Sequence, residues 1–190
     1  MKSIVSSVIV LLAVGTAAAQ QSIVDQFEER SHTHDGFTMP YRLFVPAEYD
    51  DVIAYPLVLA LHGAGERGTD NERHIALHRL ATSWADPANQ AANPVFVVAP
   101  QVPPGGRWTA DLPVDESDFN QPELTTLAIL DSLEREFNID PERVYVTGLS
   151  MGGHGTWDLI SRLPNRFAAA IPMSGNAYPN QAPKLLHIPI

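Results

Sequence analysis

The sequence predicts an α/β fold, a mostly parallel β-sheet with helices on its faces, and three observations carry that expectation. Short apolar runs at 56–61, 95–99, 144–147 and 168–173 are continuous rather than alternating, which suits strands buried on both faces. Segments with helical apolar spacing lie between them, and strands alternating with helices build parallel sheets with right-handed crossovers. Ahead of these, two extended-looking segments flank Asp35-Gly36, a strong turn signal, so an antiparallel hairpin should open the sheet.

In chain order, residues 1–19 read as a leader rather than as part of the fold. Lys2 supplies a short positive region and residues 4–14 are apolar apart from Ser6 and Ser7. Ala17-Ala18-Ala19 then offers a small-residue cleavage site before Gln20. The apolar core is shorter than the ~20 residues of a bilayer-spanning helix. The expectation is a signal peptide and a secreted or periplasmic domain over 20–190, with no membrane attachment after cleavage.

Residues 23–32 and 37–45 are predicted extended, with His34-Asp35-Gly36 between them. Residues 56–61 form a buried strand that stops at His62-Gly63-Ala64-Gly65. Asp70 is placed to cap a helix in which Leu77, Leu80, Ala81 and Trp84 share one face, opposite Arg73, His78 and Arg79. Residues 87–94 read as loop and 95–99 as the next buried strand. The stretch 100–121, with Pro103-Pro104, Gly105-Gly106 and an exposed-looking Trp108, is the longest irregular segment, a kind that is commonly functional. Asn120 and Glu123 make a capping box ahead of Leu124, Leu127, Leu130, Leu133 and Phe137. Residues 138–141 close that helix, and Val144 opens a strand. Residues 153–162 then read as helix and 168–173 as strand, and 187–190 resemble the start of another strand.

The 190 residues suffice for one domain with a sizeable core. With 45% hydrophobic and 18% charged residues the chain is ordinary globular material, which argues against long disorder. Its 22 acidic residues against 12 basic ones give a net charge of -10. That leaves no basic track for a phosphate backbone, so nucleic acid is not an expected partner, and the charge serves solubility. The chain has no cysteine. Disulfides, thiolate nucleophiles and cysteine-ligated zinc are excluded.

Chemistry gathers at Gly148-Leu149-Ser150-Met151-Gly152. Gly-x-Ser-x-Gly between a strand and a helix is the nucleophile-elbow context, in which a tight turn exposes the serine hydroxyl above the sheet. His62-Gly63-Ala64-Gly65 follows another strand and is of the oxyanion-loop type, whose N–H complements the one after the serine. Two fixed N–H donors there stabilise a tetrahedral oxyanion, each typically by about 3 kcal/mol.

With both motifs in place, the sequence resembles the α/β-hydrolase superfamily. Within it, the chain is similar to secreted phospholipase/carboxylesterase-like esterases, near polyhydroxybutyrate depolymerases and feruloyl esterases. The resemblance runs from about Phe37 to the end. It rests on residues 61–68 and 148–157, on the loop 103–108, and on Ile171-Pro172-Met173-Ser174-Gly175. It implies Ser150 as nucleophile and the backbone N–H groups of Ala64 and Met151 as oxyanion donors, Gly65 being the lesser candidate. It implies Trp108 as a wall of the acyl or alcohol pocket, and no metal or organic cofactor. The implied substrate is a small-molecule or polysaccharide-linked ester.

A serine hydroxyl needs a base and the base an orienting acid, which in this fold follow in the order Ser, Asp or Glu, His. After the elbow helix there is one histidine, His187, and there is no acidic residue after Asp158. The sheet is therefore expected to be incomplete at its C-terminal side, with the acid and histidine of the resemblance lying beyond Ile190. His187 is expected at the amino edge of the sheet, ~15–20 Å from the elbow. His154 should point along the helix away from Ser150, and His62 should be structural. His74 and His78 have the spacing of a zinc pair, but Ile75 stands where a metalloprotease has its glutamate, so a solvated helix face is expected. His32, His34, Asp131 and Asp158 read as surface or capping residues. The leading expectation is a serine carboxylic-ester hydrolase. Alternatives are an inactive truncated esterase, a dipeptidyl-peptidase-like hydrolase and, last, a secreted binding module.

Overall fold

The turn at Asp35-Gly36 starts the sheet. Both residues take positive φ, 47° and 80°, the combination by which a two-residue hairpin loop matches strand twist. His34 therefore pairs with Phe37, and β1 (Glu28–His34) runs antiparallel to β2 (Phe37–Phe44). The computed structural model describes residues 20, 22–109 and 119–190. The leader read over 1–19 and residues 110–118 of the stretch read as irregular lie outside them. From β2 the sheet passes, still antiparallel, to β4 (Phe96–Pro100). The parallel strands β3 (Tyr55–Leu61), β5 (Ile139–Leu149) and β6 (Ala169–Met173) follow, giving the order β1-β2-β4-β3-β5-β6. This is the expected α/β-hydrolase-type sheet with its N-terminal hairpin.

The continuous hydrophobicity of the central strands has its cause in two cores. Leu57, Leu59, Leu61, Phe96 and Val98 point to one side, against Ile129, Leu130 and Leu133 of α3 (Gln121–Glu136) and Leu159 and Ile160 of α4 (Met151–Arg162). Val58, Ala60, Val97 and Ala99 point to the other, against Ile75, Ala81, Ala85 and the N-terminal Ile23, Val24 and Phe27. Each large side chain so buried stabilises the fold by roughly 1.5–3 kcal/mol. The predicted capping box is present in full: Asn120 Oδ1 accepts from Glu123 N at 3.0 Å and Glu123 Oε2 from Asn120 N at 3.4 Å.

Several predicted elements are displaced. Ile23 and Val24 lie in a helical turn, and the strand starts only at Glu28. The helix expected after Asp70 shrinks to α1 (Arg73–Ala76), with Asp70 Oδ1 accepting from the Glu72 and Arg73 N–H groups. Beyond it Ser83 Oγ takes the Arg79 carbonyl, and Trp84 and Asp86 bond back to Ala81 and Ser83. Those side-chain and three-residue bonds compete with the helical ladder. The bend buries Ala81 and Ala85 and leaves Leu77 57% exposed. Residues expected as loop form α2 (Pro87–Ala92), because Asp86 caps it through Ala88 N and Pro87 suits the first turn. β5 begins at Ile139 rather than Val144, since Asn138 N–H is held by Tyr49 Oη and Ile139 pairs with Tyr55. At the other end, 187–190 make no strand. The 3₁₀ segment Pro179–Leu185 delivers them to the outer edge of β6, where Ala170 N–H donates to Pro189 O at 3.0 Å. Ile171 and Met173 on β6 stay exposed at 48% and 36%.

Candidate active site

β5 and α4 meet at Ser150, which holds φ 54° and ψ -109°. Such a conformation costs a non-glycine residue on the order of 1–3 kcal/mol and persists only when its surroundings enforce it. Here the Ser150 N–H donates to Met173 O at 2.8 Å, and the His154 N–H closes on Ser150 O at 3.0 Å. A Cβ on Gly148 would overlap the Gly152 carbonyl, and one on Gly152 would overlap the Leu61 carbonyl. The two glycines of the motif are thus demanded by backbone packed on backbone. As a result the Ser150 side chain is exposed at the carboxyl edge of the sheet, and its hydroxyl caps no N–H of α4.

The same packing presses the start of α4 onto the start of the His62-Gly63-Ala64-Gly65 loop. Ala64 opens a 3₁₀ turn (Ala64–Glu66) and Met151 opens α4. First-turn N–H groups have no partner within their own helix, so both predicted oxyanion donors stand at positions free to serve a ligand. The loop is braced from below. His62 is buried; its Nδ1 donates to Gly63 O at 2.6 Å, and its Nε2 accepts from Val102 N at 3.0 Å. Burial pushes its pKa down, and with both nitrogens engaged it is a neutral strut, as expected. Glu66 O accepts from Gln101 Nε2, and Arg67 Nε donates to Gly106 O.

Trp108 departs from expectation. It is 1% exposed, its Nε1 donates to His62 O at 2.9 Å, and its ring stands edge-on to the His62 imidazole. A Cβ on Gly155 would meet Trp108 Cβ at 2.6 Å. The indole is therefore a wedge between α4 and the loop at 62–65, with its contacts inside the chain.

The remaining histidines disperse. His74 is buried with Nε2 donating to Ala99 O, and burial drives its pKa down to about 3. His78 turns outward to Glu66 Oε1 at 3.2 Å, so the two do not form a metal pair. Among the described residues no three His, Asp or Glu side chains converge as a metal site. His154 Nδ1 accepts from Asn176 N, and His187 Nε2 donates to Pro164 O beyond the far end of α4. His32 and His34 lie on β1, four strand spacings or about 19 Å from β5.

Asp131 is a surface charge within 3.5 Å of Arg166, but Asp158 is not. It is 0% exposed and takes Arg162 Nε at 2.7 Å. Beside it, the buried Glu123 hydrogen-bonds to Asp158, and desolvation reinforced by that neighbour pushes its pKa far above the usual carboxylic-acid range. Neither Glu123 Oε1 nor Asp158 Oδ1 has a conventional donor. A proton held on Glu123 would supply the donor that the pair lacks. The i,i+4 spacing of Asp158 and Arg162 is the sequence signal that could have marked this cluster, although Asp158 read as a surface or capping charge; Glu123 was hidden behind its capping role.

The family follows from this geometry and from comparison. The Esterase family model matches residues 31–184. The chain belongs to that esterase family. A thermostable esterase of known structure is 44% identical with a TM-score of 0.83, over 88% of this chain and 46% of that one. A bifunctional acetylxylan esterase/xylanase of Neocallimastix patriciarum is 32% identical over 120 residues, 63% of this chain and 16% of the relative. Poly(3-hydroxyalkanoate) depolymerase C of Paucimonas lemoignei is 32% identical over 129 residues, 65% of this chain and 28% of the relative. The chain thus spans less than half the length of these relatives. A feruloyl esterase module from Clostridium thermocellum, solved with sinapinate, shares the fold at 18% identity and a TM-score of 0.57.

Proposed function

We propose that this esterase is a serine carboxylic-ester hydrolase in which Ser150 Oγ attacks the ester carbonyl. The N–H groups of Ala64 and Met151 take the oxyanion, the alcohol leaves, and water releases the acid from the acyl-enzyme. The observation that carries this reading is the enforced φ of 54° at Ser150, between two glycines that admit no Cβ. Strain of this kind, on an exposed hydroxyl at the carboxyl edge of a parallel sheet, has no structural use that a glycine would not serve better. Relatives named for acetylxylan and poly(3-hydroxyalkanoate) favour small or polymer-linked esters as substrates. The leader read at 1–19 makes export part of the proposal, and an exported protein should begin at Gln20 when its N-terminus is sequenced. A fluorophosphonate probe and release of 4-nitrophenol from its acetate test the chemistry. Ser150→Ala should abolish both, and turnover retained in that variant would overturn the assignment.

A further inference from the structure

Ser150 is matched across the sheet by a second serine in the same state. Leu149 at the end of β5 pairs with Met173 at the end of β6, so Ser150 and Ser174 are the residues with which these parallel strands leave the sheet. The Met173 carbonyl that accepts the Ser150 N–H at 2.8 Å belongs to the peptide joining Met173 to Ser174. The two serines therefore stand one strand spacing apart, roughly 5 Å. Ser174 holds φ 53° beside the 54° of Ser150, and both residues are exposed. The Ser174 hydroxyl makes no hydrogen bond among the described residues.

The fold imposes this conformation and gains nothing from the side chain. A Cβ on Gly175 would meet the Gly153 carbonyl carbon at 2.2 Å, and one on Gly153 would meet Met173 O at 2.4 Å. Residues 173–175 thus lie directly on the first turn of α4, and beyond them the Asn176 N–H donates to His154 Nδ1 at 3.2 Å. Between these clamps the chain passes through the left-handed region at 174, where glycine fits at least cost and a Cβ is penalised. A serine there, as at 150, keeps a hydroxyl where a ligand can reach it.

Strand order decides which part of an ester that hydroxyl meets. β5 lies between β3 and β6. Ala64 follows β3, so an oxyanion held by its N–H is drawn to the β3 side of Ser150. The carbon attacked by Ser150 Oγ carries two other substituents, and its tetrahedral geometry turns at least one of them toward β6 and Ser174. A serine hydroxyl both donates and accepts, so a second hydroxyl is the group that uses it fully. We propose, on the acyl-enzyme reading above, that Ser174 is a specificity-determining residue whose hydroxyl hydrogen-bonds a substrate hydroxyl close to the scissile bond. It selects hydroxylated esters over their alkyl isosteres. The substrate hydroxyl belongs to either the alcohol or the acyl portion.

Two matched pairs separate those sources: 2-hydroxyethyl acetate against propyl acetate, and ethyl 3-hydroxybutanoate against ethyl 3-methylbutanoate. In one pair, Ser174→Ala and Ser174→Gly should both lower the ratio of kcat/KM for the hydroxyl ester to that for its isostere by about three- to tenfold. That pair names the portion that Ser174 reads. A purely structural role would change both members alike and leave the ratio where it was. Ser174→Gly should also unfold later than Ser174→Ala, which keeps a folding defect apart from a lost contact. Ligand-detected NMR on Ser150→Ala reads the same preference as binding, with no turnover required, and adding Ser174→Ala should erase it. Ratios unchanged by both Ser174 substitutions in both pairs, or a ratio lost in Ser174→Ala and restored in Ser174→Gly, overturn this inference. Turnover that persists in Ser150→Ala with the preference intact overturns the acyl-enzyme reading instead.

Discussion

Replacing Glu123 by glutamine should make the protein more stable above neutral pH and remove most of the pH dependence of its stability there. In the fold Glu123 is 1% exposed, hydrogen-bonded to a fully buried Asp158, and held protonated by desolvation and by its neighbour's charge. In the unfolded chain the same carboxyl titrates near 4.5. The folded pKa is raised, so the native state binds a proton that the unfolded state has lost. This contribution is full below the unfolded pKa and falls as pH rises toward the folded one, by about 1.4 kcal/mol per pH unit. Between pH 7 and 9 the buried histidines add no slope, because their folded pKa values are lowered and both states are neutral there. Tyr178, raised to about 12 by burial, titrates later. Wild type should therefore lose on the order of 3 kcal/mol more than Glu123→Gln over that interval. At pH 7 the variant, whose amide donates permanently to Asp158 Oδ1, should gain up to about 3 kcal/mol. Urea unfolding at pH 7, 8 and 9 measures both quantities. Equal slopes in the two proteins would show that no proton is shared between α3 and α4.

Three further outcomes follow from the site. Ser150→Gly should unfold about 1 kcal/mol later than Ser150→Ala, because only glycine relieves the positive φ; equal stabilities of these two inactive variants would show that the elbow is unstrained. Gly152→Ala should cost at least about 3 kcal/mol or prevent folding, since its methyl would overlap the backbone carbonyls of Leu61 and His62; a soluble variant with the wild-type unfolding midpoint would refute the close approach of α4 to β3. Trp108→Phe, which keeps the wedge but leaves the buried His62 carbonyl without its donor, should lose about 1–2 kcal/mol. If its ester turnover falls while stability holds, the indole serves the substrate rather than the loop.

What could be read from the sequence was what the backbone decides locally. Asp35-Gly36, the Asn120 and Glu123 capping box and the spacing of Gly148 and Gly152 around Ser150 each constrain a few consecutive residues. Each appears in the structure where it was expected. The continuous apolar runs were legible for a related reason: a strand with a core on both faces has no polar face to alternate with. The failures share the opposite character. Trp108 read as exposed because its loop is rich in proline and glycine, yet its burial depends on Gly155 and His62, 47 and 46 positions away. Asp158 read as a surface charge because a helix can always turn a carboxylate outward; only the approach of α3 through Glu123 and the turn back of Arg162 makes an interior position tenable. The helix after Asp70 failed for the same reason, since Leu77 satisfies helical periodicity while the second core demands Ala81 and Ala85 instead. His78 is the sharpest case. Its spacing from His74 pointed to a metal pair or a solvated helix face, and both readings assumed a helix that ends at Ala76. Once the chain bends there, the two rings part, one into the core and the other onto the carboxylate of Glu66. The histidine whose neighbours sequence reasoning could not foresee is thus the one whose place depends on that bend, 3.2 Å from a carboxylate twelve positions back.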